Sequence, residues 1–99
     1  MTININNEGS TTLISLSGRL DTTTAPELEQ KFNDIFNPSV ELVFDFNGLD
    51  YISSAGLRVM LLAQKQANKE NINMKVINVC PEINEIFEMT GFSDILTIE

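Results

Sequence analysis

Apolar residues recur along this chain in two rhythms, and the switches between them mark its elements. Ile3 and Ile5 alternate with Thr2, Asn4 and Asn6, the period of two that a half-buried strand requires. Asn7-Glu8-Gly9-Ser10 reads as a turn, after which Thr12 to Gly18 sets Ile14 and Leu16 against Ser15 and Ser17. These runs predict an antiparallel hairpin whose second strand closes at Gly18 and Asp21. The period then lengthens. Thr24 is placed to cap a helix, Pro26 to occupy its first turn and Glu27 to complete a capping box. Leu28, Phe32, Ile35 and Phe36 follow at helical spacing as the buried face. Asn37-Pro38-Ser39 ends the run, because proline pushes its predecessor out of the helical region and lacks an amide itself.

Leu42 to Phe46, rich in β-branched and aromatic residues, predicts a central strand. Asn47-Gly48-Leu49-Asp50-Tyr51-Ile52 leads from it into Ser53-Ser54-Ala55-Gly56. Leu57 to Glu70 is helical in composition, with Leu57, Met60, Leu61 and Gln64 on one side, overlapped by Val59, Leu62, Ala63 and Ala67. Met74 to Val79 predicts a strand. A helix from Pro81 follows, with Ile83, Ile86 and Phe87 inward, Met89 filling space beneath it, and Gly91 as a left-handed cap. Ile95 to Ile98 is a short final strand or an extended tail. The order predicts an α/β fold: a mixed sheet of four or five strands with an antiparallel N-terminal hairpin, parallel crossovers and at least three helices. The early strands alternate, which a sheet covered on both faces would not favour, so part of one face is expected to be open.

The 99 residues suit one domain, residues 1–99, with one modest core. Phe32, Phe36, Phe44, Phe46, Phe87 and Phe92 lie inside apolar runs, as packed rather than disordered chain requires. The net charge of −8 repels phosphodiester backbones. Arg19, Lys31, Arg58, Lys65, Lys69 and Lys75 are too dispersed to track one, so nucleic-acid binding is not expected and a protein partner with a basic surface is. Cys80 is the single cysteine, which excludes an internal disulfide, and it reads as a partly buried small hydrophobe near a strand end. The apolar run Val59 to Ala63 is far shorter than the ~20 residues that span a bilayer, and MTININNEGS lacks the features of a secretory segment. A cytoplasmic protein without membrane insertion is expected.

Enzyme chemistry finds little purchase. The chain has no histidine, which removes histidine-based nucleophilic schemes and histidine metal sites. It also has no phosphate-binding loop and no dinucleotide fingerprint, so neither cofactor nor metal is expected. Asp45 and Asp50 are the remaining candidates for a magnesium-dependent hydrolase, against separate local roles for each. Ser53-Ser54-Ala55-Gly56 stands out because it joins a buried strand to a helix. One hydroxyl there is suited to cap the helix. The same place suits a phosphate, since free amides and the helix dipole favour negative charge. A phosphoryl group would add about −1.5 to −2 charge and much volume to a surface of small side chains.

Asp45 through Leu62, centred on Asp50-Tyr51-Ile52-Ser53-Ser54-Ala55-Gly56-Leu57-Arg58, resembles the signature of the STAS domain family, the anti-sigma factor antagonists. Leu16-Ser17-Gly18-Arg19-Leu20-Asp21-Thr22-Thr23-Thr24-Ala25 resembles that family's strand and loop before the first helix, and Pro81 to Phe92 its last helix and turn. The resemblance covers essentially the whole chain. It implies a non-catalytic partner switch. In the family's bacterial switch members, the unphosphorylated protein binds an anti-sigma factor that is also a serine kinase with a histidine-kinase-like ATPase fold. The sigma factor is thereby freed for transcription. Phosphorylation of the antagonist breaks the complex, and a PP2C-type phosphatase restores it. Matching the motif places the phosphoacceptor at Ser54 and implies a partner-binding surface of Asp21, Thr22, Thr23, Thr24, Asn47, Ser53, Ala55, Gly56, Leu57 and Arg58. Ser53 stands where many members carry aspartate, which removes a carboxylate beside the acceptor and makes Ser53 the alternative acceptor. The resemblance also admits a non-switching STAS subunit of a larger complex, such as a lipid-transport ATPase.

Overall fold

The computed structural model describes residues 1–35 and 41–99. Strands β1 (Thr2–Glu8) and β2 (Thr11–Leu20) pair antiparallel across Gly9-Ser10 alone. Gly9 takes φ +64°, and a left-handed first residue lets a two-residue turn match the right-handed strand twist. The hairpin therefore extends further than expected: Glu8 pairs with Thr11 and Asn7 with Thr12, whose hydroxyl donates to Asn7 Oδ1 at 3.0 Å.

β2 does not stop at Gly18. It passes through that residue at φ +93° and runs on to Leu20, because it has a long parallel partner. That partner, β3 (Glu41–Ile52), includes the Asn47–Ile52 stretch expected to be a lead-in. Two bulges reconcile the lengths: Ser15 pairs with Asp45 but Ser17 with Gly48, and Gly18 with Leu49 but Arg19 with Tyr51. At Gly48 a Cβ would sit 2.6 Å from Ser17 Cβ, so the first bulge needs glycine. β4 (Met74–Ile77) adds in parallel to give the order β1-β2-β3-β4. It ends before the expected Val79 because Asn78 turns the chain at φ +58°. Ile98 bridges Val76 in parallel, a fragment of a fifth strand, supported by the Val76 amide on Thr97 O at 2.8 Å.

The helices are α1 (Ala25–Ile35), α2 (Ser54–Lys69) and α3 (Pro81–Thr90), and a 3-10 turn follows at Phe92–Asp94. Leu28 and Phe32 of α1, Met60 and Ala63 of α2, and Ile83 and Phe87 of α3 all join one core cluster. On the sheet that cluster takes Ile14, Leu16, Phe44, Phe46 and Val76. The opposite sheet face presents Ser15, Asp45 and Lys75, all partly exposed, as the alternating early strands led one to expect. The expected parts of Ile35 and Phe36, and the stop at Asn37-Pro38-Ser39, fall outside the described residues and side chains.

Two core expectations fail for reasons of helical phase. Met89 is 79% exposed rather than filling space, since two residues beyond buried Phe87 lies about 200° around the helix. Leu62 is 40% exposed and Leu61 half-buried, while Gly56, Leu57, Val59, Met60, Ala63, Gln64 and Ala67 form the inner face of α2. Gly91 caps α3 at φ +80°, as read from the sequence. Cys80 is a free, partly buried thiol just beyond β4. Among the described residues, no helix is long and apolar enough to cross a membrane.

Candidate functional site

Parallel pairing of Leu20 with Ile52 brings two exits together, the loop into α1 and the start of α2. The Ser53 amide donates to Leu20 O at 2.9 Å and ties the two. Ser53 is extended (φ −98°, ψ 175°) and its Oγ accepts from the Gly56 amide at 3.3 Å, so its hydroxyl oxygen caps the helix. Ser54 begins the helix. It is exposed, and its hydroxyl makes no hydrogen bond to the described residues. The amides of Ser54 and Ala55 have no acceptor within the helix, so negative charge on Ser54 Oγ would be favoured there.

Close packing holds this helix start in place. A Cβ on Gly56 would lie 2.7 Å from Leu20 Cγ and 2.9 Å from Ile52 Cγ1, so glycine lets α2 rest directly on the strand ends. Gly56 and Leu57, which the resemblance put on the partner surface, are buried, and their side of the helix belongs to the core. Ala55 is half-buried, whereas Ser54 and Arg58 face solvent one turn apart. Arg58 Nη2 lies 3.6 Å from Glu29 Oε1 of α1.

The loop from β2 into α1 is organised by Asp21. Its Oδ1 accepts from the Thr23 amide at 3.0 Å, the Thr23 hydroxyl at 2.8 Å and the Thr24 amide at 3.2 Å. Thr24 does not form the expected capping box with Glu27. Its hydroxyl is turned back, donating to Arg19 O at 2.8 Å and accepting from the Asp21 amide at 2.8 Å. The Asp21 carboxylate instead closes the turn that precedes α1, through the Thr23 and Thr24 amides, and the Ala25 amide donates to Asp21 O at 2.8 Å. The Thr23 hydroxyl and amide hold Asp21 charged and, against an opposing desolvation and with lesser help from the Thr24 amide and hydroxyl, lower its pKa from 3.8 to about 2. A group with a lowered folded pKa contributes stability above its unfolded value that is lost as pH falls through the folded one. The loop should therefore stay ordered at pH 4 and loosen as pH falls towards 2. An Asp21 carboxyl NMR titration with a midpoint near 4 would contradict that bonding.

Arg19 and Tyr51 are members of this region that sequence reasoning did not select. The Arg19 guanidinium lies 4.0 Å from the centre of the Tyr51 ring, and its Nε is 3.8 Å from Asp21 Oδ2. They meet because the second bulge sets Arg19 opposite Tyr51, a register that no local pattern announces.

Asn47 is not at the end of the central strand. It lies in the first bulge, five residues before Ile52, about 16 Å along the strand. It lines a groove on the open sheet face with Asn4, Ser15, Ser17, Asp45 and Gly48, apart from Ser54. Asp45 has a local role, its Oδ1 accepting from the Asn47 amide at 2.9 Å and from Asn78 Nδ2 at 3.0 Å. Among the described residues, no three Asp, Glu or Cys side chains gather to hold a metal ion.

Comparison with known proteins agrees with this architecture. The STAS domain family model matches residues 2–99. BtrV of Bordetella bronchiseptica, assigned by name to the anti-sigma factor antagonists, is 34% identical over 84 residues, 84% of this chain and 72% of that protein. The anti-sigma-B factor antagonist of Bacillus subtilis is 26% identical over 85 residues, 86% of this chain and 78% of its own. The fold also matches an anti-sigma factor antagonist from Mycobacterium paratuberculosis with a TM-score of 0.86 at 24% identity, covering 98% of this chain and 83% of that one. Phosphorylated SpoIIAA of Bacillus superposes with a TM-score of 0.76 at 19% identity, covering 99% and 91%.

Proposed function

Since the chain belongs to the STAS domain family, among its anti-sigma factor antagonists, we propose that it is a partner switch controlled by phosphate on Ser54. In the unmodified state, a face of Ser54, Ala55 and Arg58, flanked by Asp21, Thr22, Thr23 and Thr24, docks an anti-sigma factor that is also a serine kinase. The sigma factor is thereby released. The kinase then transfers phosphate: Ser54 Oγ bonds to the γ-phosphorus of ATP, the bond to ADP breaks, and the serine proton leaves to a base on the kinase. The new dianion makes continued docking unfavourable by volume and by the cost of burying charge. A PP2C-type phosphatase hydrolyses the ester and resets the switch. Within this reading Gly56 and Leu57 shape the face from beneath, and Asn47 lies outside it.

The observation that carries the proposal is the division of labour between two adjacent serines. Ser53 Oγ is bonded to the Gly56 amide, while Ser54 Oγ is exposed at the first helical position without a partner among the described residues. Incubation with the cognate kinase and MgATP should add one phosphate by intact mass. Ser54→Ala should abolish the addition and Ser53→Ala should retain it. The reverse pattern, or transfer surviving Ser54→Ala, would refute the assignment.

A further inference from the structure

Ser54 and Arg58 stand four residues apart on α2, the spacing at which helical side chains meet. In the unmodified protein Arg58 is turned away to Glu29, with 3.6 Å between Nη2 and Oε1. That pair is solvent-exposed, with side-chain accessibilities of 68% and 35%, so it is weak and easily exchanged. A phosphate dianion offers twice the charge of a carboxylate and three oxygens to the guanidinium fork. Arg19, the other arginine of this region, is already engaged by the Tyr51 ring and Asp21.

Resting on the reading of Ser54 as acceptor, we propose that Arg58 is a two-position arm, paired with Glu29 in the unmodified protein and with the Ser54 phosphate after modification. The exchange has two consequences for a docking partner. The guanidinium moves towards the start of α2, into the face that had been open. Glu29 is left uncompensated beside the groove that it lines with Phe32, Asn33, Val59, Leu62 and Gln66 between α1 and α2. The switch thus alters the surface at both the helix start and the α1–α2 seam, without any backbone change.

The charged groups on the elements that meet at the start of α2 are Arg58 on its own helix, Glu29 on α1, Arg19 at the end of β2 and Asp21 on the loop beyond it. Asp21 stays ionised throughout the range in which a phosphate loses its second proton, so changes there report on Arg58 and Glu29. The test installs phosphoserine at position 54 by genetic encoding and follows its second ionisation by phosphorus NMR. Proton affinity should be about threefold weaker, roughly half a pH unit, in the otherwise unchanged protein than in Arg58→Met. Arg58→Lys, which keeps charge but not the fork, should fall between, and Lys69→Met at the far end of α2 should match the unchanged protein. Glu29→Gln should lower proton affinity further, and by more than it does in the Arg58→Met background, because removing the competitor acts through Arg58.

Identical titration with and without Arg58 overturns the proposal, and so does an equal effect of Glu29→Gln in both backgrounds. Because the phosphate is placed without a kinase, these outcomes are independent of whether Ser54 is the natural acceptor. That question is answered by the mass analysis above.

Discussion

Ser54→Asp is expected to weaken binding to the anti-sigma factor by at least ~100-fold, about 2.7 kcal/mol, while the melting temperature moves by less than ~2 °C. Both halves follow from where Ser54 sits. A carboxylate at the first position of α2 lies near free amides and the positive end of the helix dipole, so the fold tolerates or slightly favours it. The Ser53 cap and the Gly56 packing that seat this helix do not involve the Ser54 side chain. A partner pressed flat on the face, by contrast, must strip water from the new charge or leave a gap, and an unpaired charge buried at an interface costs ~2–5 kcal/mol. Aspartate carries one charge where a phosphate carries nearly two, so the phosphorylated protein should bind more weakly still. Calorimetric titration of the partner with the unmodified protein, Ser54→Asp and Ser54→Ala would settle the point. Tight binding by Ser54→Asp would remove the docking face from Ser54, even if the kinase modifies that residue.

The largest loss of stability is expected from Phe87→Ala, about 3–5 kcal/mol. Phe87 is fully buried and joins α3 to the sheet, its ring centre 6.3 Å from that of Phe46 on β3 and 6.4 Å from that of Phe92 beyond the helix. Removing it creates a cavity bounded by the sheet, so collapse is limited and both ring contacts are lost with the transfer energy. Against a total of ~5–15 kcal/mol for such a domain, that is a large share. At ~4–8 °C per kcal/mol the melting temperature should fall by at least ~12 °C. A drop of less than ~4 °C in a thermal melt would mean that α3 is peripheral to the core. Phe87 lies on α3 and Ser54 at the start of α2, so the variant should bind the partner normally at temperatures where it is folded.

Several features were readable from local sequence because they depend on local physics. Alternation of Ile3, Ile5, Ile14 and Leu16 marked the hairpin and left one sheet face open, since a strand sends successive side chains to opposite sides. Gly91 marked the end of α3, because few other residues accept φ +80° without cost. The Ser53-Ser54-Ala55-Gly56 segment marked a strand-to-helix junction, since small and hydroxylic residues are what a capped, tightly seated helix start requires.

The tertiary structure decided what depends on residues distant in the chain. It chose Ser53 as the cap and left Ser54 exposed, because the Ser53 amide is pinned to Leu20 O on another strand. It carried β2 to Leu20 and β3 to Ile52, and thereby moved Asn47 away from the site, because two bulges in a parallel pairing absorb the extra residues. It closed the turn before α1 with Asp21 and kept Thr24 out of a capping box with Glu27, because Arg19 O draws the Thr24 hydroxyl backwards. Propensity and spacing describe what a segment can do alone. Which hydroxyl, carboxylate or register is used depends on the partner that a neighbouring strand brings within hydrogen-bonding reach.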